Sequence, residues 1–228
     1  MKLEEVARTF ALNNIKIKGN NLEDFTNIIK RNFKKTEFDD VMGLGNFGVA
    51  FILNNGKILK ITGDQTEINA ASIILKNPRK NIVKIYNVKI TEQKFYHRLS
   101  KSKKINIGFI LEEFVPYGLH EIIGKILDKI VKQVKNKFKI TNKIKTRTIM
   151  QKATKHLINK LYQAGEEHYF DEIIQVADGV DQLYKLGIYY VDPHSENILE
   201  TEKGVFKIID LGFNSALKSK SITQINRP

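Results

Sequence analysis

The chain contains no cysteine. That excludes a disulfide framework, a thiolate metal site and a cysteine nucleophile, and it suits a reducing compartment. No apolar run approaches the roughly 20 residues that a membrane-spanning helix needs. The first residues carry charge (Lys2, Glu4, Glu5) and offer no long apolar stretch of the secretory kind. The expectation is a cytoplasmic protein with no membrane partner. Prolines number only four, no Pro-rich or Gly/Ser-rich linker occurs, and no segment repeats. The remaining composition, 228 residues with 42% hydrophobic and 28% charged, is that of an ordinary globular protein, long enough for one large domain or two small lobes around a shared cleft.

Acidic residues are scarce in one region. The net charge is +13, and between residues 122 and 160 twelve Lys or Arg stand against a single acid, Asp128. The remainder of the chain is close to neutral. Two readings are open for this segment: the solvated outer face of surface helices, or a docking patch for an acidic partner such as nucleic acid, an acidic protein or a phosphorylated substrate. Its aromatics are sparse, so nucleic acid would be met at its phosphates rather than by base stacking. The chain is rich in Lys, Ile and Asn throughout, as AT-rich coding produces, and that bias contributes part of the charge.

Hydrophobic periodicity places helices over 3–12 and 22–33 and a glycine-interrupted strand over 41–53. Asn54-Asn55-Gly56 separates two β-rich runs, a strong hairpin signal. A helix follows over 66–76, then strands over 82–90 and 105–114. From residue 119 the spacing becomes helical: Ile122, Ile123, Ile126, Leu127, Ile130, Val131, Val134 and Phe138 recur at steps of three and four. Further helices are expected over 148–164 and 171–186, the last stopped by Gly187. Short strands over 197–200 and 205–209 close the order. Strands with one helix followed by helices make an α+β protein, with a boundary near 116–118.

Four pieces carry the same chemical logic. Gly43-Leu44-Gly45-Asn46-Phe47-Gly48 leads into a strand, and glycines let backbone approach phosphate oxygens closely; the alternative is a glycine-rich turn. Lys60, on the strand after the hairpin, is placed to set an ammonium over phosphates. Glu67 is the nearest carboxylate to hold it, although Asp64 and Glu67 also read as the two ends of a capping box. The third piece is Asp192-Pro193-His194-Ser195-Glu196-Asn197. The fourth is Asp210-Leu211-Gly212, which closes the apolar run 205–209. One carboxylate and one amide suit Mg²⁺, which takes oxygen ligands and keeps several waters. A second carboxylate can accept a hydroxyl proton.

In these residues the chain resembles the protein kinases and the related small-molecule kinases of the aminoglycoside-phosphotransferase type. Gly43, Gly45 and Gly48 match the glycine-rich loop, and Lys60 matches the phosphate-binding lysine. The segment from Glu113 to Gly118 looks like the hinge that receives adenine through its backbone at Glu113 and Val115. Asp192 and Asn197 match the catalytic Asp and the metal Asn at the family's separation, and Asp210 matches the metal Asp. The match covers roughly 41–213, in order. It implies a two-lobed kinase-like fold: a helical extension over 1–35, an antiparallel-sheet small lobe over 36–116 that binds the nucleotide, and a mainly helical, truncated large lobe over 117–228. It also implies ATP and Mg²⁺ as cofactors, with Lys60 on the α- and β-phosphates, Asn197 and Asp210 on the metal, and Asp192 on the acceptor hydroxyl. His194 stands where most protein kinases have lysine and many small-molecule kinases have histidine. It is expected to contact the transferred phosphate, the alternative being a loop histidine with a structural bond.

The departures narrow the expectation. Tyr190-Val191 replaces the usual His-Arg before the aspartate, Leu211 replaces the usual Phe, and Glu112 falls at a position that is normally apolar. Eighteen residues follow Asp210, and the elements that build a peptide platform in protein kinases are absent from them. The resemblance therefore implies a minimal serine/threonine protein kinase. The competing functions are a small-molecule kinase, favoured by Asp192-Pro193-His194, and a pseudokinase binding module.

Overall fold

Alternating and 3.6-residue hydrophobic patterns resolve into an α+β structure with an antiparallel five-stranded sheet and several helices. The computed structural model describes residues 5–6, 10, 21–33, 38–44, 48–92, 94–96, 104–141, 146–212 and 214–215. Helix α1 spans Asn21–Phe33. Strands β1 (Phe38–Leu44), β2 (Gly48–Leu53) and β3 (Lys57–Thr62) follow, then α2 (Gln65–Lys76), β4 (Ile85–Ile90), β5 (Phe95–Tyr96), β6 (Lys104–Ile105) and β7 (Gly108–Glu113). After these come β8 (Tyr117–Gly118), α3 (Glu121–Lys137), α4 (Arg147–His168), α5 (Asp171–Lys185) and β9 (Tyr189–Tyr190). A 3-10 turn (Ser195–Asn197), β10 (Ile198–Glu200), β11 (Phe206–Ile208) and β12 (Asn214–Ser215) complete the order. The chain forms two compact units, one of residues 1–71 and 84–114, the other of residues 72–83 and 115–228.

In the first unit the sheet runs β1-β2-β3-β7-β4, antiparallel throughout. The β2–β3 hairpin turns at Gly56, whose φ of +71° is a conformation side chains resist. Its N–H closes the turn on the Leu53 carbonyl at 2.9 Å. Because side chains alternate along a strand, Val49, Phe51, Leu53, Leu59, Ile61 and Phe109 share one face, buried in a single cluster with Ile29 of α1 and with Val6 and Phe10. The opposite face carries Ala50, Lys60 and Ile110, neighbours across the β2–β3–β7 ladder. Gly108 on that face has no side chain for a reason. A Cβ there would lie 2.5 Å from Cγ1 of Ile68, a fully buried residue of α2.

Three expected strands differ: the stretch 41–53 is two antiparallel strands, β1 and β2, and two further runs divide. The run 82–90 serves two structures rather than one. Only 85–90 joins the five-stranded sheet, while Ile82 bridges Ile208 in parallel and Val83 donates to the Ile208 carbonyl at 2.9 Å. The break falls at Lys84, whose backbone is taken by Glu113: its N–H donates to Glu113 Oε1 at 2.6 Å, and its carbonyl accepts the Glu113 N–H at 3.0 Å. The run 105–114 likewise starts as a strand of this sheet only at Gly108. Thr91 holds Asn106 and Ile107 out of the ladder, accepting from Asn106 Nδ2 at 2.6 Å and from the Ile107 N–H at 2.9 Å. Residues 104–105 pair with 95–96 instead. Of the helix expected over 3–12, only residues 5, 6 and 10 are described, and they are helical.

In the second unit α3 buries Ile123, Leu127, Ile130, Val131 and Val134, while Ile122 of the expected stripe is 56% exposed, and α5 buries Ile173, Val176, Ala177, Val180 and Leu183. Gly165 lets α4 and α5 approach, since a Cβ there would lie 2.5 Å from Ile174 Cδ1. Between the same helices the Tyr162 hydroxyl donates to Asp178 Oδ1 at 2.6 Å, and burial together with that bond pushes the phenol's pKa well above its usual value. Helix α5 ends at Gly187 (φ +76°), with the Gly187 N–H on the Tyr184 carbonyl and the Ile188 N–H on the Leu183 carbonyl, a Schellman closure. The short strands form a β8-β10-β11 sheet and a β9–β12 pair. Among the described residues no helix is long and apolar enough to cross a membrane.

The contact of Gly108 with Ile68 gives a test of the sheet–helix packing. Gly108→Val is expected to lower stability by about 1–3 kcal/mol, as overpacking does. Gly43→Ala, at a position with nothing within 4 Å of the added carbon, is expected to change it by under about 0.5 kcal/mol. Chemical denaturation of both variants checks the contrast.

Candidate active site

Lys60 sits mid-strand on β3, on the face that Ile68 packs against. Its ammonium makes an ion pair with Glu67 Oε1, and the two side chains are 16% and 7% exposed. The helix start explains why Glu67 is available. Asp64 caps α2, its Oδ1 accepting from the Thr66 N–H and the Thr66 hydroxyl, each at 2.8 Å. In a capping box the glutamate three residues on would return to the N-cap N–H. Here that N–H donates to Thr62 Oγ1 at 3.1 Å instead. The box is therefore open: Asp64 is the cap, and Glu67 goes to Lys60. A cation so shielded from water keeps a directional field.

Around Lys60 the other predicted residues of this unit take simple positions. Gly43 lies in β1 and is exposed, and Gly48 opens β2. A Cβ on Gly48 would lie 2.7 Å from the Ile61 carbonyl oxygen, so glycine is required there by its neighbour strand. Gly45 lies outside the described residues. Glu113 ends β7, clamped to Lys84 as described above. Glu112, at the position that is usually apolar in the resembled family, is buried between Ile58 and Ile85 in the ladder. Val115, the first residue of the chain's passage into the second unit, is buried.

The second unit gathers the remaining predicted residues on one loop and one hairpin. Asn197 Nδ2 donates to the Asp192 carbonyl at 3.0 Å and approaches the Tyr190 hydroxyl at 3.4 Å. The Tyr190 hydroxyl donates to the same Asp192 carbonyl at 2.7 Å. The Asn197 N–H closes on the His194 carbonyl at 2.9 Å. Residues 192–197 are thereby folded onto themselves. Asp210 arrives through the hairpin: Ile198 pairs with Ile208, and the Ile209 N–H donates to the Asn197 carbonyl at 3.0 Å. Asp210 Oδ1 accepts the Gly212 N–H at 2.8 Å. His194 Nε2 is 4.0 Å from Asp192 Oδ1, an approach rather than a hydrogen bond.

The donor set fits a magnesium ion better than a softer metal. Asn197 spends its amide nitrogen on the loop, so its Oδ1 is the atom left for a cation, and Asp210 adds a carboxylate. Among the described residues no group of three or more His, Cys, Asp or Glu forms a ready cage.

Three residues that the sequence reading did not assign shape this loop. Tyr190, fully buried, holds the Asp192 carbonyl, and its own carbonyl accepts from the Thr154 hydroxyl at 3.2 Å. Asp128, the lone acid of the basic stretch, accepts from the Ser195 N–H at 2.8 Å and from the Ser195 hydroxyl at 3.0 Å. Its solitude among twelve basic residues was the signal that could have found it. Lys135 makes an ion pair with Asp192 Oδ1, the side chains being 27% and 16% exposed. Farther along, Lys137 Nζ lies 3.3 Å from His156 Nε2. Burial, then Lys137 and Lys160, lower the pKa of that imidazole.

No family model matches the chain. Over 198 residues it is 25% identical to the probable dual specificity protein kinase YAK1 homolog of Encephalitozoon cuniculi (strain GB-M1), an alignment that covers 84% of this chain and 39% of that protein. The chain therefore spans about two fifths of the length of the relative it matches. The similarity is that of a distant protein-kinase-like relationship.

Asp128→Ala removes both bonds that tie Ser195 to α3. The expected result is a loss of about 1 kcal/mol of stability, with faster amide hydrogen exchange concentrated at residues 195–197. Asp128→Asn, which keeps an acceptor oxygen, should recover part of the protection.

Proposed function

We propose that the chain is an ATP- and Mg²⁺-dependent phosphotransferase, a minimal protein kinase acting on serine or threonine hydroxyls. The observation that carries this reading is the folding of residues 192–197, which joins the Asp192 carbonyl to the Asn197 amide and sets Asn197 beside Asp210 at the end of one hairpin. In this reading the two units are the small and large lobes of a kinase-like fold. Lys60, steadied by Glu67, binds the α- and β-phosphates, and the backbone at Glu113 and Val115 receives adenine. Asn197 and Asp210 hold Mg²⁺, which when bound neutralises charge on the phosphates. Phosphoryl transfer asks for such positioning more than for covalent chemistry. The acceptor hydroxyl oxygen bonds to the γ-phosphorus. The bond from that phosphorus to the bridging oxygen breaks, its electron pair leaving with ADP, and the hydroxyl proton passes to Asp192. The distant kinase similarity supports the same class.

Transfer from γ-labelled ATP into a cell lysate, read separately for protein and for small molecules, tests this. Label is expected in protein, falling at least about a hundredfold in Asp192→Ala and similarly in Asp210→Ala. Label entering metabolites alone would replace the protein kinase with a small-molecule kinase. Equal signal in wild type and both variants would remove the enzyme.

A further inference from the structure

The resembled kinases carry the cation of the transfer step on the loop itself, two residues after the catalytic aspartate. Here that position is His194, and the side chain that reaches the aspartate is a lysine 57 residues earlier in sequence. We propose that Lys135, projected from α3, is a catalytic residue that holds the transferred phosphoryl group. The inference rests on the kinase reading above and extends it.

The register of α3 makes the contact a built one. Gly124, Asp128 and Lys135 lie at steps of four and seven, so at 100° per residue the three fall within about 40° of one another on the helix surface. Gly124 presses this face onto the loop, since a Cβ there would lie 3.0 Å from Ser195 Cβ. Asp128, one turn on, grips Ser195 through two hydrogen bonds. With those two points set, Lys135 arrives at Asp192 and is held there, three-quarters buried. Of the neighbouring cations on α3, Lys125 pairs with Glu121 at the exposed surface, while Lys132 lines the same cavity as Lys135 but is itself exposed. Lys135 and Asp192 together line an open cavity of about 560 Å³, with Val131, Asn136, Ile140 and His194 among its walls.

The chemistry favours a role beyond a tether. In a loose transition state the hydroxyl proton moves late, while negative charge on the phosphoryl oxygens needs a cation throughout. A lysine serves this with a compact ammonium that offers three donors to phosphate oxygens.

The test compares ATP with ADP, which differ by the group in question, as calorimetric titrations of the full chain with Mg²⁺ present. Lys135→Ala is expected to weaken ATP about tenfold while leaving ADP within about twofold, and Lys135→Arg to restore most of the difference. Lys152→Ala, an exposed charge on α4, should leave the ATP-to-ADP ratio at its wild-type value. If Lys135→Ala weakens both nucleotides equally, or neither, Lys135 is a structural tether and the proposal is overturned while the kinase reading stands. If wild type binds neither nucleotide, the kinase reading fails and carries the proposal down with it.

Discussion

The Asn197 amide and the Tyr190 hydroxyl both donate to one acceptor, the carbonyl of Asp192. A carbonyl with two lone pairs accommodates both donors, and the result is a six-residue loop whose ends cannot drift apart. Its consequences spread in two directions. Through the β10–β11 hairpin it sets Asp210 beside Asn197, and through Ser195 it offers a handle that α3 grips. A loop closed only by water would leave its two carboxylates and its amide unordered, and positioning is what phosphoryl transfer requires of a protein.

Charge placement follows a shared device in both units: a glycine admits a neighbour, and the neighbour carries the ionic partner. Gly108 admits Ile68, and the next residue back, Glu67, pairs with Lys60. Gly124 admits Ser195, and eleven residues on from that glycine Lys135 pairs with Asp192. In each case the ion pair is largely shielded from solvent, where removing one partner costs far more than at the surface. The basic segment takes on a second meaning from this. Much of its charge lies on exposed positions, yet its one acid and one of its lysines bond directly to the loop.

What the sequence made legible was local. The hairpin at Gly56, the stop at Gly187, the helix stripes and the five-residue separation of Asp192 from Asn197 all depend on neighbours within a few positions. Distant partnerships were not legible. Nothing in the spacing distinguishes Lys135 from Lys132 or Lys129, since the helical pattern identifies a face but not what lies against it. The run 82–90 reads as one strand because β-branched residues recur throughout it, and the break at Lys84 is imposed by Glu113 from another strand. The capping box and the Lys60 partner looked like rivals because the pattern has no record of Thr62, whose hydroxyl takes over one half of the box and releases Glu67 for the other task.

The central claim is that residues 192–197 and 210–212 hold a metal-bound nucleotide. Nuclear magnetic resonance of the full chain with Mn²⁺ substituted for Mg²⁺ in the ATP complex locates the metal directly through paramagnetic broadening. The account predicts that amides of those two segments broaden selectively and that Lys60 shifts on nucleotide addition. Uniform broadening, or broadening confined to the outer lysines of α3 and α4, would contradict it.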